Sequence, residues 1–172
     1  MIELLKYSDF DTVFSIMKES FPEDEYRTYE GQKALLDDDA YRIYGIREED
    51  GNVLGVLAVW DLEEYAFLEH FAVSPAYRNL GIGRDALADL IAISQKPVCL
   101  EVEPPESEIT RRRVGFYSRN GFFLNNYSYF QPSLAEGRTA VPLYIMTYGR
   151  SVDESEFLKI KNTLYTRVYK CK

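Results

Sequence analysis

Residues 65–93, "YAFLEHFAVSPAYRNLGIGRDALADLIAI", constrain the fold more tightly than any other stretch of the chain. The first nine are apolar and aromatic at strand density, and Pro75 bounds them. From Gly83 onward, Ala86, Leu87, Leu90 and Ile91 recur at helical spacing until Pro97 stops the helix. A strand therefore passes into a helix through a loop carrying Gly81 and Gly83. Such a helix start presents unpaired backbone N–H groups and a partial positive charge. Glycine also lacks the Cβ that would hold a phosphate away from the backbone. Arg78 and Arg84 add local positive charge. The diphosphate of coenzyme A fits this loop, and so does a glycine turn that only starts a packed helix.

Gly81-Ile82-Gly83-Arg84-Asp85-Ala86 also fits G-x-G-x-x-A, the dinucleotide fingerprint. Glu101 or Glu103 stands about 20 residues on, where that fingerprint wants an acid. The connection argues against it. Ser74 to Leu80 intervene between the strand and Gly81, too many for the tight turn the fingerprint encodes. The loop also follows an antiparallel run instead of βαβ units. A Walker A loop is excluded because no Gly-Lys-Ser/Thr follows.

The rest of the chain reads as one domain, residues 1–172, without repeats or linkers. "MIELLKY" suits a first strand. Ser8 or Asp9 caps a helix with Phe10, Val13, Phe14 and Met17 on one face, ended by Pro22. "FPEDEYRTYEG" reads as a polar loop or helical turn, and a short helix follows through Leu35 and Leu36. "YRIYGIRE" and "VLGVLAVWDL" are strands joined by a hairpin at Asp50-Gly51. "VCLEVE" is a strand stopped by Pro104 and Pro105. "SEITRRRVGFYSRNGF" is a helix capped at Ser107, with Gly121 at its end. "FFLNNYSYF" and "VPLYIMTYG" are strands, and 152–168 is a closing helix with Phe157, Ile160, Leu164 and Val168 on one face.

Composition narrows the function classes. A hydrophobic share of 46%, with 14 tyrosines and 10 phenylalanines, excludes disorder. A net charge of −8 speaks against nucleic acid as a partner. Cys99 and Cys171 have no second Cys or His at ligand spacing, so neither a metal site nor a disulfide is expected. There is no basic segment followed by a long apolar run, and no run of membrane-spanning length. A cytoplasmic setting without a membrane partner is the expectation, as a monomer or a homodimer.

"AVSPAYRNLGIGRDAL" resembles the central motif of the GNAT superfamily of N-acetyltransferases, R/Q-x-x-G-x-G/A, with Arg78, Gly81 and Gly83 at its defining positions. "RRRVGFYSRNGF" resembles the family's second segment, F-Y-x-x-x-G-F, through Phe116, Tyr117, Gly121 and Phe122. One strand separates the two motifs, as in the family. The resemblance implies an α/β (α+β) fold of the acyl-CoA N-acyltransferase type. Its central, mostly antiparallel sheet has about seven strands flanked by helices, with a parallel pair splayed around the cofactor. It further implies acetyl-CoA as co-substrate and direct acetyl transfer to a primary amine in a ternary complex. The cofactor would lie against Phe71, Ala72 and Val73, whose backbone N–H groups bind pantetheine and polarise the thioester carbonyl. Arg78, Asn79, Leu80, Gly81, Ile82, Gly83 and Arg84 would hold its phosphates, with Arg119, Arg112 or Arg113 in reach. Thr110 and Arg113 stand where the family commonly has Asn and Ala, so the Asn contact to pantetheine has no counterpart here.

The strand "YAFLEHFAV" puts Tyr65, Phe67, Glu69, Phe71 and Val73 on one face and Ala66, Leu68, His70 and Ala72 on the other. A carboxylate between two phenylalanines is expected to have a raised pKa. Glu69 also matches a glutamate that many family members carry, which makes it the expected general base, directly or through water. The alternatives are a solvent-open face or a pairing arginine. His70, the one histidine, is expected to be packed or half-exposed, away from Glu69's face. Tyr117 matches the family's general acid. Proton transfer from a tyrosine to a thiolate runs uphill by ~2 kcal/mol, so a hydrogen bond to the leaving sulfur is its main expected contribution. The acidic residues near Glu23 to Glu25 and Asp37 to Asp39 favour a cationic amine, and they also fit a solvated face. Two further classes stay open: a domain that binds acetyl-CoA without turnover, and a dinucleotide-dependent oxidoreductase.

Overall fold

The computed structural model describes residues 1–171. In chain order the elements are β1 (Ile2–Leu4), α1 (Phe10–Ser20), α2 (Tyr29–Ala34), β2 (Tyr41–Arg47), β3 (Val53–Asp61) and β4 (Ala66–Val73). Then follow α3 (Ile82–Ile93), β5 (Val98–Val102), α4 (Glu108–Arg119), β6 (Phe122–Gln131), β7 (Val141–Tyr148) and α5 (Glu154–Thr163), with one π-turn over Leu164–Val168. The strands form one sheet in the order β1-β2-β3-β4-β5-β7-β6. Every neighbouring pair is antiparallel except β4 with β5. That order has no doubly wound half, which removes the dinucleotide reading of the glycine loop.

Side-chain alternation divides the core between the two faces of the sheet. On one face Val56, Ala58 and Trp60 of β3 pack with Phe10, Val13 and Met17 of α1 and with Phe157 and Ile160 of α5. On the other, Leu57 and Val59 pack with Ala86, Leu87 and Leu90 of α3 and with Tyr117 of α4. Each such large apolar side chain contributes about 1.5–3 kcal/mol when fully buried. β3 is buried along nearly its whole length because both of its faces are covered.

Local chemistry sets the helix ends. Ser107 accepts from the Thr110 N–H at 3.1 Å, while the Thr110 hydroxyl accepts from the Ser107 N–H at 3.0 Å. Thr110 is thus the reciprocal half of a capping box. Gly121 ends this segment at φ +86°, in the left-handed region. Asp9 does not cap α1. Its carboxylate accepts from the Lys6 N–H at 2.9 Å and closes a 3₁₀ turn before the helix. The closing helix is α5, capped by Asp153, and its last turn widens into the π-turn.

The departure from strict alternation that bears on the site is in β4. Ala58 pairs with His70, but Val59 pairs with Leu68. Glu69 is the extra residue of a β-bulge, and the facing inverts beyond it. The expected grouping of Glu69 with Phe71 and Val73 is corrected accordingly. Phe71 and Val73 pack on the α3/α4 face with Leu68, while Ala72 joins Phe67 on the α1 face. His70 turns to the α1 side as well, edge-on to Phe21 at 5.0 Å between ring centres. Beyond this point β4 and β5 part. Their pairing stops at Leu68 with Leu100, although β4 runs on to Val73 and β5 to Val102.

Candidate active site

A cavity of about 550 Å³ opens where the parallel strands separate. One end is bounded by the loop from Tyr77 to Arg84, and the other by Glu25, Glu69, His70 and Glu101. The splay bares the β5-facing edge of β4 from Glu69 to Val73, which pairs with no strand among the described residues.

At the first end, Gly81 takes φ +82° at the N-cap of α3, and no side chain caps the helix. The first main-chain N–H to bond back is that of Asp85, to the Gly81 carbonyl at 3.1 Å. The amides of Ile82, Gly83 and Arg84 therefore face outward without helical partners. A side chain at Gly81 would need a conformation that L-residues rarely adopt. Gly83 differs: an added Cβ would lie 3.6–3.7 Å from Phe71, Val73 and Phe116, an ordinary contact. Arg78 donates from Nε to the Val73 carbonyl at 2.9 Å and so ties the loop to the end of β4. This uncapped, positively polarised helix start suits a diphosphate, and the bared edge of β4 suits the amide-bearing pantetheine chain of coenzyme A.

Of the expected cofactor residues, Phe71, Ala72, Val73, Arg78, Asn79, Gly81, Gly83 and Arg84 line this cavity. Leu80 points outward at 67% exposure, and Ile82 packs into the core behind the loop. Arg119 is exposed and outside the lining, whereas Arg112 and Arg113 take part in it. Helical spacing explains this, since Arg112, Arg113 and Phe116 share the cavity-facing side of α4. Tyr117 also lines the cavity, 8% exposed, packed edge-on against Phe116 and Phe122. Burial pushes its hydroxyl up to about 12.

Glu69 is not the free, neutralised carboxyl expected from its apolar neighbours. Arg27 donates to one oxygen at 2.7 Å and Trp60 Nε1 to the other at 2.9 Å. Burial alone would raise its pKa, but the Arg27 guanidinium and the Trp60 bond outweigh burial and hold it below the usual carboxylate range. Its side chain is 3% exposed, so it is a fixed, ionised group in the cavity wall. The pairing arginine comes from 42 residues upstream, a contact with no signature in local sequence. His70 donates from Nε2 to the Glu25 carbonyl at 2.8 Å, because a carbonyl only accepts. Its Nδ1 has no partner and lies 3.9 Å from Glu69. Burial lowers its pKa and keeps the ring neutral.

In sequence, Glu25 stands in the acidic run that favours a cationic amine and Glu101 where a dinucleotide fingerprint wants its acid; neither position shows that the two share a cavity. Glu25 and Glu101 both face this end of the cavity, and burial pushes both carboxyls up to about 7. Glu101 interrupts the otherwise apolar "VCLEV" of β5, a signal that could have flagged it for this site.

The sequence from 9 to 122 matches the family model described as Acetyltransferase (GNAT) family. A solved Bacteroides thetaiotaomicron protein assigned to the GNAT family is 34% identical. The two superpose with a TM-score of 0.91 over 100% of this chain and 99% of that one. A dodecameric spermidine N-acetyltransferase from Vibrio cholerae shares the fold at 14% identity, with a TM-score of 0.63 over 93% of this chain and 96% of that one. A mutant of a Vibrio cholerae spermidine N-acetyltransferase gives 0.65 at 13% identity, over 98% and 99% of the two chains. No curated protein sequence matches the chain.

Proposed function

The chain belongs to the GNAT acetyltransferase family, and on that footing we propose that it moves the acetyl group of acetyl-CoA directly onto the primary amine of a cationic small molecule or peptide. The observation that carries this reading is the continuity of one cavity. An uncapped left-handed helix start stands at one end, and the carboxyls of Glu25 and Glu101, in no ion pair among the described residues, stand at the other. Acetyl-CoA supplies a thioester whose carbonyl carbon accepts the amine and whose sulfur leaves.

The chain's own groups do the rest. The amides of Ile82, Gly83 and Arg84 hold the diphosphate, with Arg78 supplying positive charge nearby. The bared edge of β4 from Phe71 to Val73 aligns the pantetheine chain and donates to the thioester oxygen as it gains charge. Tyr117 donates a hydrogen bond toward the sulfur. With its hydroxyl near 12 and a thiol near 8.5, full proton transfer is uphill by about 5 kcal/mol, so polarising the sulfur is its main contribution. Glu69, fixed and ionised by Arg27 and Trp60, stays in the wall of the acceptor end. The spermidine N-acetyltransferases that share the fold make polyamines the first acceptors to try, and the carboxyls of Glu25 and Glu101 support a polycation.

A thermal-shift panel of acetyl-CoA, NADH and ATP, followed by thiol release with an amine library, tests this reading. Stabilisation by acetyl-CoA alone and thiol release with cationic amines are expected. Stabilisation by NADH instead would overturn it.

A further inference from the structure

The acceptor end holds four carboxylates, Glu25, Glu69, Glu101 and Glu103, but they are not equivalent, and Glu103 is paired with Arg113. Glu69 has both oxygens occupied by Arg27 and Trp60 and a side chain almost closed to the cavity. Glu25 stands on the segment after α1, and none of the hydrogen bonds to its residue reaches the carboxylate. Glu101 stands on β5 one residue past the last paired position, where β4 and β5 begin to part. It is half-buried and cavity-lining, and none of the ion pairs among the described residues includes it. Two tyrosines hold it instead. The Tyr129 hydroxyl of β6 donates to Oε1, and the Tyr169 hydroxyl lies 2.8 and 2.7 Å from the two oxygens.

We propose that Glu101 takes the proton from the incoming ammonium group, and that Tyr169, delivered by the C-terminal segment, positions and tunes it. The inference rests on the acetyl-transfer reading and goes beyond it in assigning the proton. The protonation step balances simply. One ammonium proton passes to a Glu101 oxygen, and the freed nitrogen lone pair forms the C–N bond. The C–S bond breaks, and the second nitrogen proton ends on the sulfur. Glu101 then returns its proton to solvent through the cavity mouth.

The geometry favours Glu101 over its neighbours. An ammonium can reach a half-buried carboxylate without displacing a cation, whereas Glu69 would have to release Arg27. Arg27 is itself fixed from behind, since it donates to the Val168 carbonyl of the π-turn at 3.2 Å. The same C-terminal segment therefore locks Glu69 through Val168 and holds Glu101 through Tyr169. Burial pushes the Glu101 carboxyl up to about 7, while the tyrosine donors pull it down and the charges of Glu69 and Glu25 push it up. The titratable and charged groups around it are Tyr129, Tyr165, Tyr169, Glu25, Glu69 with Arg27, and His70, with Cys99 two positions back on β5 and Glu103, paired with Arg113, two positions on.

The test uses the full chain with acetyl-CoA and a diamine, spermidine being the probe. E101Q is expected to lower kcat/KM about 100-fold or more at pH 7. The deficit should narrow toward the pKa of the amine, where the acceptor arrives neutral. Y169F removes a donor to the ionised carboxylate, so the acid limb of the kcat/KM profile moves to higher pH while the alkaline plateau is kept. A second readout needs no turnover. Carbon-13 NMR of glutamate-labelled protein, assigned with E101Q, should show a carboxyl titrating near 7 in the native chain and higher in Y169F. A Glu101 carboxyl ionised down to pH 5, or a native acid limb in E101Q, overturns the role of Glu101 alone. A native protein that releases no thiol with any amine sinks the acetyl-transfer reading and this role with it.

Discussion

Replacing Gly81 by alanine isolates the backbone geometry that the cofactor site depends on. Gly81 sits at φ +82°, and the nearest atom to an added Cβ is Nη2 of Arg84 at 3.6 Å. There is no clash, so the cost is conformational: about 1–2 kcal/mol for an L-residue held in the left-handed region. That cost must appear somewhere. If the loop keeps its shape, the folded state absorbs it, and Tm falls by about 2–8 °C for a chain of this size. If the loop relaxes, Tm is spared, and acetyl-CoA binding weakens by about 5- to 30-fold because the amides no longer converge. Calorimetric unfolding and isothermal titration with acetyl-CoA, run on the same preparation, measure the two shares. Their sum should be about 1–2 kcal/mol. Gly83→Ala is the control, since its Cβ meets only ordinary contacts and Gly83 has no positive φ. Its folded stability should stay within about 0.5 kcal/mol. A G81A protein with native Tm and native affinity would refute the role assigned to the left-handed helix start.

The remaining predictions concern buried charge and the leaving sulfur. Arg27→Met strands Glu69 as an unpaired buried carboxylate and should cost about 3–5 kcal/mol in urea unfolding. The gap to the native chain should narrow below pH 4.5, because Glu69's depressed pKa contributes stability only above its ordinary value. Tyr117→Phe should lower kcat by about 10- to 100-fold with little change in the KM for acetyl-CoA, as expected for one lost hydrogen bond to developing charge. Unchanged kcat would remove Tyr117 from the mechanism. Glu25 and Glu101 have carboxyls raised to about 7, so their stabilising protonation is complete below about 4.5 and lost as pH rises through about 7. Spermidine should accordingly raise Tm more at pH 8 than at pH 5.5, and equal shifts at both values would contradict a carboxylate-lined acceptor end.

Much of the fold was legible because its signals are local. Ala86, Leu87 and Leu90 announce α3 by spacing, Ser107 announces the start of α4, and Asp50-Gly51 announces the β2–β3 hairpin. The glycine loop at the start of α3 was legible for the same reason: its shape is a backbone property, and glycine spacing encodes backbone. The acceptor end was not. The bulge at Glu69 inverts the facing of His70, Phe71 and Val73, and a one-residue insertion in a ladder leaves no mark in a strand read alone. The partners of Glu69 and Glu101 come from Arg27, Tyr129 and Tyr169, which are 42, 28 and 68 residues away.

The sequence by itself determined that a helix would begin at a glycine loop after a strand. Hydrophobic period, turn chemistry and the missing Cβ act over a few residues, so they are written in order along the chain. Only the tertiary structure decided which carboxyl stays ionised and which is poised near neutrality. A carboxyl's proton affinity depends on burial and on charges a few ångströms away, and the folded chain draws those neighbours from segments far apart in sequence.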